Sequence, residues 1–174
     1  MIKKKVYFLI SLLAFAIVSS CSSDDNKQLL ENQIEIDGRV YTINGGFIDG
    51  DHELSEDYVW DFNSIITLYG GGIDYDPAAR KFIGKGWVLQ MRMHSGVHGL
   101  ELGNYTYSES GARLTFNESF YTTNFDVNSD ENQIEAFIVS GKVSVDRENE
   151  YIINFHLVDS NNKEIRGFSR HYMF

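Results

Sequence analysis

The chain has 174 residues, a formal net charge of −10 and a single cysteine. That length favours one domain, large enough to bury a core without staples, and one cysteine excludes an internal disulfide framework. The acidic balance, stronger still beyond the three lysines at positions 3–5, excludes nucleic acid as a partner, because a negative surface repels phosphate.

Residues 1–20 read as a signal peptide. Lys3, Lys4 and Lys5 form a positive start, and Val6 to Val18 is apolar apart from Tyr7 and Ser11. As a helix this run spans about 20 Å, against about 30 Å of bilayer hydrocarbon, so it is too short to cross comfortably and fits an export signal. Val18-Ser19-Ser20-Cys21 follows. It resembles the lipobox of bacterial lipoproteins, in which an aliphatic residue and two small residues precede an invariant cysteine. The resemblance implies cleavage before Cys21 and a diacylglyceryl anchor on its thiol. Residues 21–32 are then a flexible polar tether. Ser22-Ser23-Asp24-Asp25-Asn26 resembles the surface-export signal of some Gram-negative lipoproteins, which implies an outer-membrane location at the cell surface.

From Gln33 onward the apolar residues recur with a period of two, the pattern of half-buried strands. Residues 33–174 are therefore expected to form one all-β domain. Ile34 and Ile36 run into Asp37-Gly38 and then Val40 to Ile43, a strong hairpin signal. Tyr58, Trp60 and Phe62 share a strand face, and Ile65 to Tyr69 continue that strand or begin another. Gly70-Gly71-Gly72 is expected to be a flexible loop. Asp76 as an N-cap, Pro77 at the first helical position and Gly84 as a stop predict one short helix.

Trp87, Leu89, Met91 and Met93 alternate with Val88, Gln90, Arg92 and His94. Tyr105 with Tyr107, Leu114 with Phe116, and Ile134 to Val145 mark later strands, with Ser140-Gly141 as a bulge. Tyr151, Ile153, Phe155 and Leu157 are expected to face the core, with Asn154 and His156 outward. Arg147-Glu148-Asn149 and Ser160-Asn161-Asn162 read as hairpin loops. The spacing of breakers fits an antiparallel barrel or sandwich of about 8–10 strands plus that one helix. Residues 88–174 resemble small all-β, lipocalin-like lipoproteins of Gram-negative bacteria, through Leu102-Gly103-Asn104-Tyr105-Thr106-Tyr107, Val139 to Val145, Tyr151 to Phe155 and Ile165 to Phe168. The resemblance implies a barrel or sandwich and brings no activity with it.

Chemistry-bearing constellations are sparse. His94 and His98 flank the turn signal Ser95-Gly96 rather than sharing a helix face, and the remaining histidines are scattered, so surface histidines are expected and no metal site. Asp49-Gly50-Asp51-His52-Glu53 and Asp74-Tyr75-Asp76 lack the calcium-loop pattern and read as solvated turns. No nucleophile elbow, zinc-protease helix or phosphate-cradling loop is present. The expected function is non-enzymatic and cofactor-free: binding of a glycan or a small apolar ligand at the cell envelope. The alternative is a structural or accessory subunit of an envelope complex.

The candidate binding region is the connection spanning residues 70–86, since long connections are often functional. Tyr69 and Tyr75 are expected to be exposed there as stacking faces, with Asp74 as an acceptor and Trp87 alongside. Ile73 and Phe82 are candidates to pin this segment to the core.

Overall fold

The computed structural model describes residues 29–54, 60–76, 78–79, 81–96, 99–131 and 133–173, with side chains described outside 51–62 only. The signal peptide, Cys21, most of the tether, Tyr58 and His98 lie outside the described residues, as do the side chains of His52, Trp60 and Phe62.

Eleven strands occur among the described residues: β1 (Gln33–Ile36), β2 (Arg39–Leu54), β3 (Trp60–Gly71), β4 (Asp74–Asp76), β5 (Lys81–Ile83), β6 (Lys85–Ser95), β7 (Gly103–Tyr107), β8 (Thr115–Asp126), β9 (Ala136–Arg147), β10 (Tyr151–Asp159) and β11 (Glu164–His171). Nine of them close into a barrel in the order β1-β11-β10-β9-β7-β8-β6-β3-β2. All neighbours are antiparallel except β7 and β8. β7 is a short wedge between β8 and β9, which pair directly through Phe120↔Phe137 beyond its end.

Local chemistry explains the corners. Asp37 and Gly38 take positive φ of 49° and 76°, the conformation a two-residue hairpin demands. The β9–β10 register shifts opposite Asp159, leaving Val139 as the extra residue beside Ser140, so the bulge falls beside the expected site. Asp159 is buried, and its Oδ1 accepts the N–H groups of Asn161 and Lys163, each at 2.8 Å. The Tyr121 hydroxyl donates to its Oδ2 at 2.9 Å. These bonds satisfy a carboxylate that burial would otherwise penalise, and burial beside that carboxylate pushes the Tyr121 hydroxyl pKa up.

No helix occurs among the described residues, which corrects the expected short helix. The segment is a hairpin instead, with Asp74↔Ile83, Tyr75↔Phe82 and Asp76↔Lys81 paired. Asp76 Oδ1 does accept from Ala78 and Ala79 N–H, at 2.9 and 3.1 Å, as an N-cap would. One turn of helix is too short to offset its own nucleation, whereas the β pairing puts Tyr75 and Phe82 in ring contact, with centroids 5.3 Å apart. The glycine run is likewise no flexible loop. Gly70 and Gly71 complete β3 and cross closely under β6, opposite Trp87 and Gly86. Asp49 to Glu53, expected as a turn, lies inside β2.

The barrel interior is filled by side chains, among them Trp87, Tyr105, Phe116, Tyr121 and Leu89, each about fully buried. Ile153, Phe155 and Leu157 point inward and Asn154 and His156 outward, while Tyr151 is half-buried. One end is fastened by Arg113, which binds Glu101 through both carboxylate oxygens. Gly96 N–H also donates to Glu101, at 2.9 Å. The Tyr105 hydroxyl donates to the Glu101 carbonyl at 2.7 Å.

Arg113 first, and then the Gly96 N–H, hold the Glu101 carboxyl at about 2, below its usual 4.5. A depressed folded-state value means that this latch contributes fully above about pH 4.5 and is lost as the pH falls through about 2. Denaturant unfolding between pH 5 and 2 is therefore expected to show a shallower loss of stability in Glu101→Gln than in the parent. Equal slopes would remove the latch from the account.

Candidate functional site

Alternation along the strands decides which side chains leave the barrel. On β3, Ile66 and Leu68 enter the core while Thr67 and Tyr69 face out. On β6, Trp87 and Leu89 enter while Val88 and Gln90 face out. Phe47 of β2 and Phe125 of β8 join that outer face. The β4–β5 hairpin folds over it as a flap, bringing Ile73 and Phe82 down onto the wall. Ile73 and Phe82 thus pin this connection, but to the outer wall.

Phe82 is the centre of the cluster. Its ring centroid lies 5.2 Å from Phe47, 5.1 Å from Tyr69 in an edge-on arrangement, and 5.3 Å from Tyr75. These are the separations at which aromatic pairs attract beyond simple burial. Gly45 makes room for the Tyr69 ring, because a Cβ there would lie 2.5 Å from its hydroxyl oxygen. The flap and wall leave between them a cleft of about 340 Å³. Phe47, Tyr69, Phe82, Phe120 and Phe125 line it, with Thr67 and Gln90 among its few polar groups. The Gln90 amide donates to Thr67 Oγ1 at 3.3 Å.

The flap is tied at its base. Lys85 pairs with Asp126 of β8 at 2.6 Å, and Val127 N–H donates to the Gly84 carbonyl at 3.2 Å. The Lys85 ammonium, followed by the Asn128 N–H, holds the Asp126 carboxyl below the usual carboxylate range. Gly84 has φ of 92°, and a Cβ there would lie 2.0 Å from the Gly72 carbonyl oxygen, so only glycine fits this corner.

Tyr69 is 6 % exposed, which corrects the expectation of an open stacking face: the flap roofs it. Burial, and secondarily the Asp74 carboxylate, push its hydroxyl pKa up. Tyr75 is half-buried against Phe82, and Asp74 is exposed at the rim, its Oδ1 accepting the Tyr75 N–H at 2.8 Å. Trp87 stands on the opposite side of the wall, 1 % exposed and facing the barrel interior. The structure thus gathers Tyr69, Tyr75 and Asp74 and separates Trp87 from them. Phe47 and Phe125 escaped the sequence reading. Phe47 had a signal: Phe47-Ile48 is an adjacent apolar pair, and in a strand one member must face outward. Phe125, between Asn124 and Asp126, had none of that kind.

His94 is 5 % exposed, which corrects its expectation as a surface histidine. Its Nε2 lies 2.7 Å from Asn117 Oδ1. Among the described residues no three His, Cys, Asp or Glu side chains are grouped to hold a metal. Comparison with protein families, with curated proteins and with solved structures gives no match, so the functional reading rests on this chain's own chemistry.

Proposed function

We propose that this chain is a lipoprotein of the cell envelope that binds a small apolar ligand in the cleft between the barrel wall and the β4–β5 flap, without catalysing a reaction. The cleft carries the reading. A satellite cluster that served only to hold a loop would close on itself, whereas here aromatic rings surround about 340 Å³ of apolar space, a size that suits a small ligand. The ligand would lie on the wall, not in the lumen that lipocalins use, because core side chains occupy the interior.

The full chain in detergent micelles is expected to bind N-phenyl-1-naphthylamine with a saturable rise in its fluorescence above that of protein-free micelles at the same detergent concentration. Phe82→Ala, which removes the ring at the centre of the cluster, should weaken binding by about tenfold, given the worth of a buried aromatic contact. No signal, or equal affinity in the variant, would remove the cleft as a ligand site.

The anchor is tested separately. Cys21→Ser is expected to abolish fatty-acid labelling, because the acceptor thiol is gone, and to release the protein or leave its signal peptide uncleaved, since two or more buried chains hold a protein stably where one does not. Protease added to intact cells should remove the parent domain if the serine-acid tether directs it to the surface. Continued labelling of the variant would sink the lipoprotein reading. A specific feature favours the accessory-subunit alternative: Phe137 and Val139, alternate residues of β9, are 52 % and 44 % exposed, and apolar neighbours of that kind mark partner-binding patches.

A further inference from the structure

The geometry points to a second site on the other half of the barrel wall: a groove across β7, β9, β10 and β11 that binds an extended oligosaccharide carrying carboxylates. Its cavity is about 680 Å³. A second depression of about 260 Å³ adjoins it, and the two share Lys142 and His156. Two abutting depressions suit a chain-like ligand better than a compact one.

Register places the groove's side chains in two parallel rows. One row runs Asn104, Ser144, Asn154 and Phe168 across successive strands. The next runs Thr106, Lys142, His156 and Arg166. Amides and hydroxyls spaced along a sheet can bridge the neighbouring hydroxyls of a sugar, and the Phe168 ring offers a flat face for its C–H side. Arg166 holds Glu35, with Nη2 3.1 and 3.2 Å from its two carboxylate oxygens. The pair fixes a guanidinium plane beside the row.

Charge argues for an acidic ligand. In a chain of net charge −10, this wall balances its two cationic side chains, Arg166 and Lys142, against two carboxylates, Glu35 and Glu164, and leaves Lys142 as the cation not committed to either. Arg166 is paired with Glu35, and His156 lies 3.6 Å from Glu164. Lys142 is exposed and has no ion pair among the described residues, so it is free to meet a carboxylate. An extended peptide fits less well. Strand addition needs an open edge, and β9, β10 and β11 are each paired on both sides.

The test uses the full chain in detergent micelles against immobilised oligouronates and neutral oligosaccharides of equal length, followed by calorimetry on the tightest binder. An oligouronate is expected to bind more tightly than its neutral counterpart. Lys142→Ala and Asn154→Ala, both at exposed positions, should each weaken it by about tenfold, the scale of a lost hydrogen bond to a charged group. Circular dichroism should show the parent fold in both. Phe82→Ala, in the apolar cleft, should leave this affinity unchanged, which separates the two sites. The proposal is overturned if no sugar binds, if the neutral sugar binds equally well, if both groove variants bind as the parent does, or if extended peptides bind in place of sugars.

Discussion

Phe155→Ala is expected to lower the unfolding free energy by about 3–5 kcal/mol, the range for truncating a large buried aromatic, while Asn154→Ala changes it by less than about 0.5 kcal/mol, as exposed substitutions do. The two are adjacent in sequence and opposite in direction: Phe155 is 5 % exposed in the core and Asn154 points outward. The Phe155 ring lies over its cross-strand partner Gly167, where an added Cβ would fall 2.1 Å from the ring's Cζ. Gly167→Ala should therefore also destabilise, by forcing that ring from its rotamer. In the Phe155→Ala background its cost should shrink, because the colliding ring is gone. Urea unfolding of the four proteins closes the cycle. Additive effects would show that the ring does not occupy the space above Gly167.

Gly70→Ala is expected to cost about 3 kcal/mol, at the upper end of overpacking effects. A Cβ at Gly70 would lie 2.2 Å from the Thr42 carbonyl oxygen and 2.7 Å from the Trp87 indole. The first collision is with backbone, which cannot rotate away. The reciprocal approach is as tight, since a Cβ at Gly86 would lie 2.0 Å from the Gly70 carbonyl oxygen. Displacing Trp87 should also shift its emission to the red, read with Trp60 replaced by phenylalanine. A stability loss below about 1 kcal/mol with unchanged emission would contradict the close crossing of β3 and β6.

Much of the barrel was legible because a strand's period of two is written in local order. Trp87 to Met93 and Tyr151 to Leu157 each sort correctly into inner and outer residues by alternation alone, and the first run fails only at its end, where His94 is buried. The hairpin at Asp37-Gly38 was equally plain, because both residues tolerate positive φ. The segment from Asp76 misled for an instructive reason. Its capping bonds are real, but Asx capping serves a tight turn as well as a helix. The choice was made by Phe82 finding two aromatic rings on the barrel wall, Phe47 and Tyr69, and a third, Tyr75, across the hairpin. Gly70-Gly71-Gly72 misled similarly: a glycine run reads as flexibility locally, and only the neighbouring strand shows that the missing side chains admit Trp87.

By itself, then, the sequence determined that the domain is all-β, which residues of its regular strands face inward, and where its tight hairpins fall. These depend on backbone preference and on alternation between near neighbours. Tertiary structure alone decided closure into a barrel, the wedging of β7 between β8 and β9, and the gathering of Phe47, Tyr69, Phe82 and Phe125 into one cleft. Those residues are separated by up to 78 positions, and no local pattern specifies which outward apolar side chains will share a wall. Strand order and register do, and they emerge only when the whole sheet pairs with itself.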